Sequence, residues 1–305
     1  MLGVFPIPDR SRCTERSLPI HKPYPLGGEL LMPDLHRMYR PIQPPDAGRA
    51  AAAYREAFPS PALAPFVACF WTMEETVGAI HRVVPDGCMD MLFEWRPDRP
   101  DVRRSICGAF DRPFDAASAA AGRRYFGIRF FPGGLYRLFR VPSAEFTDRL
   151  VPLDDVAGAQ GRLLAERLSE CGTFAERVAA AERFLLDALR RGTLPETDAA
   201  FGNALYELFR SEGAAPIAEL ARSSGVGERA LNRLFGRWTG LAPKTFARIV
   251  RFQLVLSGLE RGFGPDDWAG AAARYGFADQ AHLIRDFRSL YGDSPAAAGR
   301  SLVRR

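Results

Sequence analysis

Long apolar runs are missing from this sequence. No stretch approaches the roughly 18 apolar positions that a membrane-spanning helix needs, and the opening MLGVFPIPDRSRC has no continuous apolar core of the secretory kind. The two absences argue against a membrane partner and place the chain in the cytoplasm. Cysteine is scarce: Cys13, Cys69, Cys88, Cys107 and Cys171 are odd in number, widely spaced and without a CxxC pair, which argues against a disulfide framework or a zinc ribbon. Cys69, Cys88 and Cys107 fall in one region; a thiol sensor or metal site there is weighed against ordinary buried cysteines, and the second reading is preferred. Histidine is scarcer still, with His21, His36, His81 and His282 alone. A site with two or three histidines and a carboxylate is hard to assemble from these, so neither a metal nor a cofactor is expected.

What is present suffices for two domains, each with its own core: 305 residues, 47% hydrophobic and 25% charged. The first 200 residues carry 26 basic and 26 acidic side chains, whereas residues 201–305 carry 15 against 10, so the net charge of +5 lies entirely in the last third. Such an excess on one module suits a polyanionic partner.

Residues 1–52 hold nine prolines, among them Pro6, Pro19, Pro33 and Pro45, and show no sustained period; they read as a flexible extension or as sequence ahead of the true start. Over 53–157 short apolar runs alternate with turn residues: PFVACFWTM, IHRVV, MDMLFEW, RSICGAF and YFGIRFF, broken at Pro85-Asp86-Gly87, Arg96-Pro97-Asp98 and Pro132-Gly133-Gly134. Their length and aromatic content predict strands of a mostly antiparallel sheet or barrel. Over 158–202 the spacing becomes helical, with Leu163, Leu164 and Leu168 on one stripe and Val178, Phe184, Leu185 and Leu189 on another; these helices are expected to link the domains, and the stripes are read as intrachain core in preference to a pairing surface between two chains. The fold class is therefore α+β, with a β-rich, cupin-like first domain, a helical linker and an all-α domain over 203–301.

The last segment repeats itself. Leu231, Arg233, Phe235, Gly240 and Pro243 recur 52 residues later as Leu283, Arg285, Phe287, Gly292 and Pro295. Upstream of each copy lies a short alanine-containing helix closed by a glycine, IAELARSSG and DWAGAAARYG. A helix-turn-helix needs a small residue where its helices touch, here Ala221 and Ala272, and glycine where the turn requires a left-handed backbone, here Gly225 and Gly276. The second turn reads as one residue longer.

Stepping 100° per residue along Glu228 to Trp238 puts Leu231, Leu234 and Phe235 on one side and Arg229, Asn232 and Arg233 on the other. Arginine can bind guanine O6 and N7 bidentately and asparagine can pair with adenine, so the polar face has the chemistry of major-groove readout; Arg237, further along, suits phosphate. In the second copy Asp279 is the N-cap, Leu283, Phe287 and Leu290 face inward, and Ala281, His282, Arg285 and Arg288 face outward, with Gln280 and Ile284 at the edges. With fewer polar readers, this copy is expected to discriminate bases less than the first. Pro243 opens a connecting helix, Lys244 to Leu259, long enough to hold two recognition helices near one turn of DNA apart, so the expected partner is double-stranded DNA.

The stretches IAELARSSGVGERALNRLFGRWTGLAPKTFARIVRF and DWAGAAARYGFADQAHLIRDFRSLYGDSP resemble the AraC/XylS family of bacterial transcriptional regulators over residues 203–301. The resemblance implies a seven-helix domain with two helix-turn-helix units, a sequence-specific transcription factor rather than an enzyme, and DNA contacts at Arg229, Asn232 and Arg233, then Gln280, Ala281, His282 and Arg285. Two positions depart from the family pattern: Gly227, where a capping serine is frequent, and Ala281, where a polar reader is frequent. RNA polymerase, a small-molecule effector and a second copy of the chain are the further partners this reading allows.

Val67-Ala68-Cys69-Phe70-Trp71, Pro85-Asp86-Gly87-Cys88-Met89-Asp90 and Gly127-Ile128-Arg129-Phe130-Phe131-Pro132-Gly133-Gly134 resemble an uncharacterised β-rich domain that precedes this module in some family members. Similarity to effector-sensing domains implies ligand binding or dimerisation. Trp71, Asp86, Cys88, Asp90 and Arg129 could line an effector pocket; the reading preferred for each residue taken singly is structural, with Asp86-Gly87 making a turn, Asp90 pairing with Arg129 and Trp71 filling the core. The alternative from another class is a DNA-repair or cupin-type metal enzyme tethered to the same module.

Overall fold

The computed structural model describes residues 35–44, 54–75, 80–117, 122–191, 199–262 and 268–303. Most of the proline-rich extension, with Cys13 and His21, lies outside the described residues.

The β-rich runs form two sheets. The larger has the order β1 (Arg55–Ala57), β2 (Val67–Glu74), β7 (Arg124–Phe130), β4 (Met89–Trp95), β5 (Arg103–Cys107) and β8 (Leu150–Pro152), every pair antiparallel. The smaller is a two-stranded ribbon of β3 (Ile80–Val83) and β6 (Phe114–Ala117), which among the described residues pairs with no strand of the first. Because side chains alternate along a strand, the large sheet has two unlike faces. Phe70, Met91, Phe93, Ile106, Phe126, Ile128 and Phe130 are buried on one. On the other, the register sets Cys69, Arg129, Asp90 and Cys107 in one row across four strands.

The apolar face is covered by α3 (Asp154–Glu170) and α4 (Phe174–Arg191): Phe174 packs edge-on to Phe126, and Phe184 stacks on Phe139 of α2 (Gly134–Phe139). The stripes of the linking segment are therefore intrachain core, the reading preferred for them over chain pairing, and they complete the core of the first domain. Leu164, Leu168 and Leu185 are buried there, but Leu163, placed on the same stripe by its spacing, is 56% exposed. One residue before Leu164, it points about 100° away from it, beyond the edge of the contact.

Two further expectations need correction. Residues 35–44, assigned to a flexible extension, include the short helix α1 (Leu35–Met38) and bury Leu35 and Tyr39. Tyr39 stacks on Phe209 at 4.8 Å and donates a hydrogen bond to the Asp86 carbonyl at 2.9 Å, so this strap touches both halves of the molecule. The halves also do not have separate cores: Met91 and Phe126 of the sheet belong to the same continuous buried cluster as Phe235 and Phe287 of the C-terminal third. No helix among the described residues is long and apolar enough to cross a membrane.

Candidate nucleic-acid interface

Among the described residues the C-terminal third has seven helices: α5 (Ala199–Arg210), α6 (Ile217–Ser223), α7 (Glu228–Thr239), α8 (Pro243–Glu260), α9 (Trp268–Arg274), α10 (Gln280–Tyr291) and α11 (Pro295–Val303). The sequence repeat is a structural repeat. α6 and α9 each have 7 residues and α7 and α10 each have 12. The turn between the members of each pair is residues 224–227 in the first unit and 275–279 in the second, one residue longer. Gly225 (φ 70°) and Gly276 (φ 71°) take the left-handed backbone the turn needs, and Ala221 and Ala272 are buried at the helix contact.

α7 turns Leu231, Phe235 and Trp238 inward, leaving Arg229, Asn232, Arg233 and Arg237 exposed. Asn232 Nδ2 donates to the Glu228 carbonyl at 2.9 Å. α10 buries Leu283, Phe287 and Leu290 and exposes Gln280, Ala281, Arg285 and Arg288. His282 differs from this outward set: it is half-buried, its Nδ1 accepts from the Ala278 N–H at 3.3 Å, its Nε2 lies 3.5 Å from Asp286, and its ring meets Phe277 edge-on. Both imidazole nitrogens are thus engaged by α10 and the turn before it. At the helix starts, Asp279 Oδ1 accepts from the His282 N–H at 2.6 Å, whereas Gly227 offers no side-chain cap.

Pro243 opens α8, whose 18 residues span about 27 Å at 1.5 Å each. It is buried nearly all round, because both units and the N-terminal domain pack on it. Of its polar residues, Arg248 and Arg251 reach the second unit. Arg248 reaches Asp286 of α10 at 3.1 Å and Ser289 at 3.0 Å, and Arg251 donates to the Gly276 carbonyl at 2.9 Å with its guanidinium over Phe277. Sequence reasoning missed this anchor of the second recognition helix. Two arginines three residues apart on a mostly apolar helix were the available signal.

The five effector-pocket candidates converge on the polar sheet face. Trp71 Nε1 donates to Asp90 at 2.7 Å, Arg129 Nε reaches Asp90 at 3.3 Å, and an Arg129 terminal nitrogen lies 3.9 Å from Asp86. Asp86 accepts from the Cys88 N–H and from Gln43, both at 2.8 Å. Two carboxylates thus share one guanidinium. Burial pushes the Asp86 carboxyl above the ordinary range, more than Arg129 offsets. Burial also raises the thiols, Cys69 and Cys107 to about 12 and Cys88 likewise upward, so all three stay protonated and poorly nucleophilic at neutral pH. Among the described residues no group of three His, Cys, Asp or Glu side chains is arranged to hold a metal ion.

The Pro85–Gly87 turn joins this cluster to the helices. The Pro85 carbonyl accepts from Gln253 of α8 at 2.8 Å, and Gly87 lies against Phe246 of the same helix.

Two family profiles match the chain. A domain of unknown function covers residues 55–152, and a helix-turn-helix domain covers residues 220–301. No functionally curated protein shows significant similarity to the chain. Solved structures of ToxT from Vibrio cholerae align over 77% of this chain and 99% of theirs, at 12% identity and a TM-score of 0.39 in one form. A form bound to (E)-4-(8-methylnaphthalen-1-yl)but-3-enoic acid gives 11% and 0.42 over the same shares, and one bound to an unsaturated fatty acid gives 10% and 0.40 over 84% of this chain and 98% of its own. Likeness at this level carries no argument about fold or ligand.

Proposed function

We propose that this chain, which carries a helix-turn-helix domain behind a domain of unknown function, is a transcriptional regulator of the AraC type, and that it reads DNA through both helix-turn-helix units. α7 and α10 enter two successive major-groove segments of one duplex face. The observation that carries the reading is the pair of 12-residue helices, 52 residues apart and packed on one shared helix, each with a basic outward face. Arg229, Asn232 and Arg233 supply base contacts in the first segment, Arg237 a phosphate contact; Gln280, Ala281 and Arg285 face the second segment, with Arg288 further along. His282 belongs to this set as the residue that shapes the helix start rather than as a free reader. The second segment contributes less discrimination, since its outward face holds fewer polar readers.

We further propose that the cluster of Trp71, Asp86, Cys88, Asp90 and Arg129 is the control end. The buried carboxylate pair sharing one guanidinium, one turn away from α8, supports this reading. A small-molecule effector altering that cluster would act on the helix to which both units are attached. RNA polymerase and a second copy of the chain are the remaining partners in the proposal.

The readout roles are tested by comparing Arg233→Ala with Arg237→Ala. Loss of Arg233 is expected to cost about 1–3 kcal/mol at one base position, while loss of Arg237 weakens all sequences alike and lowers the salt slope by about 1. Identical behaviour of the two variants contradicts the assignment.

A further inference from the structure

Both recognition helices end against the N-terminal domain, and they do so at equivalent points of the repeat. At the end of α7, Thr147 Oγ1 donates to the Gly240 carbonyl at 2.6 Å, and Ser143 Oγ donates to the Trp238 carbonyl at 2.9 Å, the second bond fully buried. A Cβ on Gly240 would lie 2.7 Å from that threonine oxygen. At the end of α10, the Arg82 guanidinium lies over the ring of Tyr291, 5.7 Å from its centroid, and beside Gly292, the residue equivalent to Gly240. Arg82 is held in that plane by Asp115 on the partner strand of the ribbon, Nε–Oδ1 2.8 Å and a second bond at 3.1 Å. A cation at this place also complements the partial negative charge at a helix C-terminus.

The two contacts differ in what they are attached to. Ser143 and Thr147 lie in the connection just before β8, an edge strand of the large sheet, whereas Arg82 lies on the β3–β6 ribbon, which among the described residues pairs with no strand of that sheet. Between them, Gln253 in the middle of α8 bridges the Pro85 carbonyl and the Ile42 N–H, both at 2.8 Å. Three successive points of the DNA-binding domain are thus set against one frame.

We propose that the N-terminal domain is a gauge that fixes the spacing of the two DNA segments the chain accepts, with Arg82 as the positioning residue for the second recognition helix. The proposal rests on the tandem-readout function stated above. α7 is set against the connection before β8 and α10 against the ribbon, so the sheet–ribbon offset trims the spacing that their shared packing on α8 establishes. A specificity determinant then lies some 140 residues before the domain that touches DNA.

The test uses the full chain and duplexes in which two half-site elements, found by selection, are separated by varied numbers of base pairs. The wild-type protein is expected to prefer one spacing. Arg82→Ala is expected to lose about two- to fivefold of that preference, the fold-change equivalent of an exposed cation–π contact, and to lose discrimination at the second half-site. Discrimination at the first half-site and the melting temperature stay unchanged. Asp115→Asn, which frees the guanidinium without altering either helix, should act in the same direction. A merely structural role for Arg82 would weaken both half-sites alike, leave the preferred spacing untouched and lower the melting temperature, and that result overturns the gauge. So does a wild-type spacing profile in both variants; should Arg82→Ala not fold, Asp115→Asn decides alone. A wild-type chain that selects no bipartite site instead fells the readout model together with the gauge built on it.

Discussion

At the residue scale the two recognition helices differ most at their first residue. Asp279 caps α10, while Gly227, in extended geometry with φ −78° and ψ 158°, leaves the first N–H groups of α7 without a side-chain partner. A Cβ at Gly227 would meet nothing within 4 Å, so Gly227→Ser is sterically free. It is expected to stabilise the fold by some tenths of a kcal/mol, whereas Asp279→Ala should cost about 1 kcal/mol; chemical denaturation measures both. These caps were legible in the sequence because capping is local. The engagement of His282 was not, since it depends on Phe277 and Asp286 as well as on helical phase. The buried ion cluster makes a second residue-scale prediction. Arg129→Ala leaves Asp86 and Asp90 without their guanidinium and should cost about 3–5 kcal/mol. The Asp86 carboxyl is raised above 3.8 in the folded state, so its contribution to stability is complete below that value and is lost as pH rises through its folded range. Asp86→Asn should flatten that part of the stability–pH curve, and an unchanged slope would assign it to another group.

At the element scale, legibility followed length and local pattern. β2, β4, β5 and β7 were readable as apolar runs of five to eight residues. β1, β6 and β8 have only three or four residues, and their pairing is dictated by neighbours rather than by their own composition. The helix-turn-helix repeat was readable down to the extra turn residue, because glycine and alanine are required there by backbone geometry and close contact. Contacts between elements were not readable: nothing in the local sequence pairs Thr147 with Gly240 or Arg82 with Tyr291. Gly240, at φ 78°, is where these two levels meet. Gly240→Ala is expected to cost about 1–2 kcal/mol from the left-handed backbone alone, with an added penalty from the Ser143 carbonyl oxygen 2.9 Å from the new Cβ. Equal losses of stability for Gly240→Ala and for an alanine substitution at Gly225, where a Cβ has open space, would show that the interdomain contact adds nothing.

At the scale of the whole molecule, composition suggested two cores and the structure has one. Phe246 of α8 touches the rings of Tyr39, Phe209 and Phe235 and lies against Gly87, so strap, turn and helices share apolar surface. Burial of that surface outweighs any single hydrogen bond across the junction. The chain is therefore expected to unfold in one transition, with near-ultraviolet and far-ultraviolet circular dichroism coincident, and a fragment of residues 203–301 to melt below the same helices in the full chain. Separate transitions would mean that the halves are energetically independent. The tandem architecture makes the sharpest demand of all. Selection from random duplexes with the full chain, at moderate salt, should return two elements with centres about 10 base pairs apart, the one read by α7 more stringent than the one read by α10; a single uninterrupted element, or no sequence preference, would contradict it.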